Sequence, residues 1–309
     1  MLVLLNKYSN NGKGFQKWEE FKDELEEKYI GRNYSLISDF AGLSDNLHRE
    51  FKRGERTFVA AGGDGTINFL LNQIMHMKER ERNQLVVGAI GLGSSNDFHK
   101  PFSENSFLSN KVPLKLNHKN AVEHNVGQVD FEDENGKWQR KYFIINCGLG
   151  VVAQANYLFN SKDKVVKWLK SKWVMGTIWY AALKTLIAAQ NIPAKIMIGD
   201  ENYKTEVTNL SVIINPHLSG NFCYDFKISA SSDYLAIALC ERMGLLLRLR
   251  TILSLTRGKF LGLPKTRSWM TNRIEILPTS LTPLELDGEV YLARSIKIEL
   301  LQGVLKVSQ

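Results

Sequence analysis

The sequence predicts an α/β N-terminal domain, a Rossmann-like parallel sheet with helices on both faces. It predicts a C-terminal, mostly antiparallel β-sandwich domain with an inserted helix. Three observations carry this reading. Strand and helix signals alternate over residues 1–100. Beyond about residue 110, short strand-like runs separated by turn residues take over. One long helical stretch, Lys162 to Ala189, interrupts those runs.

The elements follow in order. "MLVLL" reads as a buried first strand. Phe15, Trp18, Phe21 and Leu25 recur at helical spacing, so Phe15 to Lys28 is a helix. "YSLIS" is a strand, Ala41 to Arg53 a helix, and "TFVAA" a strand. "INFLLNQIMHMKERE" is a helix beginning near Thr66 or Ile67, and "LVVGAIGLG" is a strand. A β-α-β-α-β-α-β order argues for a parallel sheet covered by helices. Such sheets take ligands at the carboxyl ends of their strands. Later runs such as "NVGQVDF", "QRKYFIINCGL", "NLSVIIN", "YLAIAL" and "SIKIELL" alternate with turns such as "DENGK" and "GDEN". Turn-punctuated short strands read as a sandwich or barrel. The expected divisions are 1–112, 113–290 and 291–309, the last a strand segment returning to the first domain.

Composition narrows the partners. The 309 residues carry 44% hydrophobic and 23% charged side chains, enough for a sizeable core and against wholesale disorder. The net charge of +8 favours anionic partners: nucleotides, phospholipid surfaces or nucleic acid. Cys147, Cys223 and Cys240 are far apart and form no CxxC pair, which argues against a disulfide framework or zinc site. "MLVLL" is too short for a signal peptide. "WVMGTIWYAAL" falls short of the roughly 20 residues a membrane span needs. A cytoplasmic protein is expected, with association at the inner face of the membrane left open.

Two glycine-rich turns carry the chemistry. "FVAAGGDGTIN" ends a strand in Gly62, Gly63, Asp64, Gly65 and Thr66. Glycines there allow tight or left-handed turns and close approach by a ligand. A helix start offers unpaired N–H groups and partial positive charge to a phosphate. An acid among phosphates calls for a metal ion or a hydroxyl partner, so Asp64 suggests metal-assisted phosphoryl chemistry. The plainer alternative is that Asp64 caps the helix. "VVGAIGLGSSNDF" places a second such turn at the next strand end. Neither turn matches a P-loop or GxGxxG.

Together, "GGDGTIN" at 62–68, "GLGSSND" at 91–97 and "DGE" at 287–289 resemble the diacylglycerol kinase catalytic-domain family, in particular its bacterial lipid-kinase branch. That family is similar to NAD kinases in fold. "LLNKYSNNGKG" stands where the family has its opening nucleotide loop, and "ASSDYL" where it has an acidic metal-site segment. The resemblance implies a nucleotide-binding first domain and a lipid substrate domain. It implies ATP contacts from Asn6, Ser9, Gly62, Gly63, Asp64, Gly65, Thr66, Asn68, Ser94, Asn96 and Asp97. It implies Mg2+ held by a network including Asp233, a general base at Glu289, and support from Asp287 and Asp64 in catalysis. The implied active site is an interdomain cleft lined by both turns and Glu289. From spacing alone, Asp287-Gly288 is also a plain hairpin turn. The chain departs from the family pattern at Lys7, Phe69, Gly91, Asn125, Tyr234 and Lys259-Phe260.

The stretch from Lys162 to Ala189 places Val165, Trp168, Leu169, Trp179, Leu183 and Leu186 at helical spacing. Lys162, Lys164, Lys167, Lys170 and Lys172 lie among them. An apolar face flanked by lysines suits an anionic membrane surface; a helix packed on the sandwich is the plainer alternative. "ERMGLLLRLRTILSLTRGK" could share that face. His99 reads as a partly exposed helix residue close to the second turn. The implied partners are a nucleotide and a lipid, with a membrane surface and a second copy of the chain left open. Nucleic acid is not expected, since only basicity points to it. Three functions compete: an ATP-dependent lipid kinase, a soluble kinase of the NAD kinase type, and a nucleotide-binding regulatory protein with little turnover.

Overall fold

The computed structural model describes residues 1–102, 106–160, 168 and 174–309. The chain divides into two compact units, residues 1–126 with 302–309 and residues 127–301.

In the first unit, β1 (Leu2–Leu5), β2 (Ser35–Ile37), β3 (Thr57–Gly62) and β4 (Val86–Gly91) form a parallel sheet in the order β2-β1-β3-β4. Both faces of its central strands are buried: Leu2, Val3, Leu4 and Leu5 are at most 1% exposed. Such strands need covering on each side, which their continuous apolar runs reflect. Helix α1 (Lys13–Leu25) puts Trp18, Phe21 and Leu25 against Val3, Leu5, Val59, Ala61 and Ile90. Helix α2 (Leu43–Lys52) buries Leu43 and Leu47. Helix α3 (Asp64–Met75) is buried along most of its length, through Ile67, Leu70, Leu71 and Ile74 and the polar Thr66, Asn68 and Asn72. It begins at Asp64, two residues earlier than expected, because Gly63 takes the capping position in extended backbone. The single expected helix over "INFLLNQIMHMKERE" breaks after Met75, and a short turn, α4 (Glu79–Arg82), follows.

The expected division after residue 112 falls inside this unit. Strand β5 (Val112–Lys115) pairs antiparallel with β4, and residues up to Val126 stay with it. At the other end of the chain only 302–309 return, with Lys306 and Val307 opposite Val86 and Val87.

The second unit corrects the sandwich expectation. Its strands are β6 (Val122–Glu132, from Gly127), β7 (Trp138–Phe143), β8 (Asn146–Gly150), β9 (Ile192–Ile198), β10 (Glu201–Ile213), β11 (Leu235–Glu241), β12 (Thr266–Thr271), β13 (Arg273–Pro278), β14 (Thr282–Leu286) and β15 (Glu289–Val307). Their pairing closes on itself in the circuit β10-β8-β14-β15-β13-β9-β10, a barrel-like ring rather than two stacked sheets. The 13-residue β10 makes closure possible. Its first half pairs with β9, and its second half with both β8 and β11. The sequence split β10 into "YKTEV" and "NLSVIIN", which hid that continuity; the register shift between Val207 and Asn209 marks the join. Gly148 and Gly150 let β8 approach: a Cβ would stand 2.5 Å from the Leu210 carbonyl at the first and 2.4 Å from the Thr208 carbonyl at the second. The ring encloses Val129, Phe131, Phe143, Leu210, Val212, Ile276 and Ile298.

Among the described residues this unit carries helices α5 (Val151–Asn160), α6 (Val174–Ala188) and α7 (Leu245–Leu255). Of the predicted lysine-rich helix, Val165, Leu169, Lys162, Lys164, Lys167, Lys170 and Lys172, and the side chain of Trp179, lie outside the described residues. Among the described residues, no helix is long and apolar enough to cross a membrane.

Candidate functional site

In the first unit three loops leave the carboxyl ends of β1, β3 and β4, and hydrogen bonds tie them together. Asn6 donates its backbone N–H to the Ala61 carbonyl (2.9 Å) and its side-chain amide to Thr66 Oγ1 (3.0 Å). That joins the first loop to the first glycine turn. Asp64 joins the first glycine turn to the second. Its Oδ2 accepts from the Ser95 hydroxyl (2.8 Å) and the Asp97 N–H (3.1 Å), and its Oδ1 accepts from the Phe98 N–H (3.0 Å). The question raised by an acid among glycines thus has a local answer. The carboxylate leans across to the neighbouring loop, and it neither caps its own helix nor stands free.

The glycines fit the same account. They serve close approach of loop to loop, not left-handed backbone. A Cβ at Gly93 would lie 2.5 Å from the Gly63 Cα across the two turns, and one at Gly62 would lie 2.2 Å from Thr66 Oγ1 within its own turn. The two turns therefore touch backbone to backbone, which only glycine permits. Gly63 has no side chain to satisfy the first amides of α3, and Gly65 is only half-buried. A helix start of this kind suits a phosphate.

The other predicted residues take varied places. Asn96 sits in left-handed backbone (φ 51°). Its side chain accepts from Gly93 N–H (3.0 Å) and donates toward the Gly91 and Gly93 carbonyls, so it shapes its own loop. Asn68 is buried and accepts from the Asn72 side chain. Asp97 is buried and pairs with Lys100 at 2.8 Å. Ser9 is buried, with its hydroxyl against Gly14. Ser94 is the exposed residue of the second glycine turn. Burial and the charge of Asp97 push the Asp64 carboxyl up, against the three donors that hold it down.

Sequence reasoning missed two features here. Tyr8, in the first loop, is 86% exposed. A tyrosine ring left almost bare beside a phosphate-type turn is suited to stack on a base, and its place after Asn6-Lys7 was the available signal. His99 is the second. Expected to be partly exposed, it is buried at 2%, beside Phe98, with His124 on the same ring. Burial and the nearby Lys115 hold His99 down to about 3; burial alone is the leading cause for His124, at about 4.

In the second unit the "DGE" segment forms a hairpin turn between β14 and β15. Asp287 (φ 47°) and Gly288 (φ 95°) both lie in left-handed backbone, as a two-residue hairpin demands. The Asp287 carboxylate is buried and accepts three backbone N–H groups, from Ile144 (2.8 Å), Ile145 (2.9 Å) and Asn146 (2.9 Å). It is a clamp on the β7–β8 corner, repeating in this unit what Asp64 does in the other. Glu289 opens β15 and is exposed, while surrounding protein desolvates its carboxyl and pushes it up. That combination leaves a carboxyl accessible and closer to neutral pH than usual, as proton transfer requires.

The residues present offer no ready cage for magnesium. Asp64 already holds three protein donors, and Asp233 is exposed on a serine-rich turn. Among the described residues no three His, Cys, Asp or Glu come together as metal ligands. At Phe69, where the family pattern has an acid, the ring packs on Phe40 at 5.1 Å. Asn125 is buried and accepts from the Gly303 N–H. Phe260 is buried among Tyr224 and Phe226.

The parallel-sheet unit and the antiparallel ring together make a fold that this chain shares with solved bacterial structures. A solved diacylglycerol kinase from Bacillus anthracis strain Sterne superposes over 99% of this chain and 96% of its own, with TM-score 0.69 and 17% identity. Residues 1–129 match the family model described as the diacylglycerol kinase catalytic domain, which bears out the resemblance carried by the two glycine turns. Staphylococcus aureus proteins of strains MSSA476 and MW2, each described as a "putative lipid kinase", are 28% identical over 164 residues. Those residues are 52% of this chain and 46% of each relative, so the chain spans about half the length of the curated relatives it matches.

Proposed function

We propose that the protein is an ATP-dependent lipid kinase that transfers the γ-phosphoryl group to a hydroxyl of diacylglycerol or a related lipid. The observation that carries this reading is the locked trio of loops at the carboxyl ends of β1, β3 and β4. Asn6 and Asp64 fix their relative geometry before any ligand arrives, which is how a phosphoryl-transfer site lowers the cost of positioning. Gly63, Gly65 and the start of α3 hold the phosphates, Ser94 adds an open hydroxyl, and Tyr8 stacks on the base. The nucleotide enters as its magnesium complex, since magnesium is commonly held largely by phosphates and water. Glu289 takes the proton from the lipid hydroxyl. Asp64 and Asp287 act as positioning residues.

The test is transfer from labelled ATP, with magnesium, into a total lipid extract. Glu289→Gln should lower transfer by roughly 10²–10⁴-fold, the usual worth of a general base, with nucleotide binding intact. Transfer into NAD, or a Glu289→Gln enzyme of unchanged rate, would overturn the reading. A second reading, a nucleotide-binding protein with little turnover, is favoured by Phe69 packing where the family pattern has an acid. ATP binding without transfer to any lipid would select it.

A further inference from the structure

Helix α7 is amphipathic in an unusual sense. At about 100° per residue, Arg248, Thr251 and Leu255 form one stripe, and all three are buried. The opposite stripe, where a surface helix is normally polar, carries Leu246, Leu249 and Leu253. They are 82%, 37% and 61% exposed. Neighbouring α6 packs on α7 and leaves Leu183 and Ile187, one turn apart, 56% and 60% exposed. A buried cation fixes the pair. Arg248 donates to the Leu186 and Ala189 carbonyls (3.1 and 2.6 Å), to Asn191 Oδ1 and to the Met243 carbonyl. The leucines are thus held outward by a satisfied core contact, and fraying does not explain their exposure.

The charge pattern says what covers them. Between Glu241 and Glu275 the chain has no acid and eight Arg or Lys residues. Arg250 and Arg257 flank the leucine stripe on α7 and just beyond it, both exposed. Arg242, just before the helix, lines a groove of about 190 Å³ together with Lys204, Lys265 and Arg267. The one acid there, Glu241, is already engaged by Arg267 (2.7 Å) and Thr205 (2.6 Å), so the groove keeps a net positive charge. Exposed leucines flanked by Arg250 and Arg257, in a stretch of chain without acids, fit an interface with apolar depth and anionic headgroups. A protein partner with an apolar patch would give no reason for an acid-free surround.

We infer that the α7 face, with Leu183 and Ile187 of α6, docks on an anionic phospholipid membrane. This places the membrane contact on the second of the two basic stretches named from the sequence. The inference does not depend on the catalytic reading, because docking needs neither nucleotide nor Glu289.

The experiment is co-sedimentation of the full chain, without nucleotide, with vesicles of phosphatidylglycerol and phosphatidylcholine and with vesicles of phosphatidylcholine alone. Binding is expected to the anionic vesicles at low salt and to weaken as salt rises. Leu246→Gln with Leu253→Gln should weaken it at least about tenfold, and Arg250→Glu with Arg257→Glu should remove its salt dependence. Both leucines are exposed, so the variant should melt as the parent does. Failure of the parent chain to bind anionic vesicles would overturn the inference, as would unchanged binding of the leucine variant. So would a dimer, seen by sedimentation without vesicles, that the leucine variant dissociates. Binding without lipid phosphorylation would leave the inference standing and remove the kinase reading. Phosphorylation without docking would do the reverse.

Discussion

Acid should destabilise the first unit through two buried histidines, His99 and His124. His99 and His124 are buried around Phe98, next to Lys115, whose own ammonium is disfavoured by burial. Their folded values fall to about 3 and about 4 from 6.5. The unfolded chain therefore binds more protons wherever the pH is below 6.5. The stability that these neutral rings contribute is fully present above that pH and drains away as pH falls toward 4 and 3. At pH 5 each ring costs about 2 kcal/mol relative to pH 8, so the pair costs about 4 kcal/mol. Asp64 and Glu289, both raised, act in the opposite direction, so the histidine share must be isolated by substitution. Urea unfolding at pH 8 and pH 5 of the parent, His99→Asn, His124→Asn and the double variant does this. Each substitution should reduce the acid-induced loss by about 2 kcal/mol, whatever its cost at pH 8. Histidine NMR should show two rings still neutral at pH 5. Two rings titrating near 6.5, or a double variant as acid-sensitive as the parent, would refute the reasoning.

Three further outcomes follow from the sites. Gly93→Ala sets a methyl 2.5 Å from the Gly63 Cα; it should cost about 1–3 kcal/mol by thermal melting and weaken ATP binding together with stability. Asp287→Asn leaves part of a buried three-amide cradle unpaired; it should destabilise by about 2–3 kcal/mol in urea, and an unchanged midpoint would contradict the clamp. Tyr8→Ala removes an exposed ring; the melting temperature should hold, while ATP affinity by calorimetry should fall about fivefold, about 1 kcal/mol of stacking.

The sequence by itself determined the alternation of strands and helices in the first hundred residues, because each run carries its period in consecutive side chains. It also located both glycine turns and the Asp-Gly hairpin, since those conformations restrict residue choice within a few positions. It did not say what the acids do. Asp64 and Asp287 looked like catalytic carboxylates, yet each spends its oxygens on three donors from another loop, 31 to 34 residues away in one case and 141 to 143 in the other. Only the fold brings those amides near. Closure of the second unit is likewise tertiary, because pairing partners leave no mark on a strand's own pattern. The outward leucines of α7 were decided the same way: helical spacing says which residues share a face, and only packing, through buried Arg248, says which face meets water.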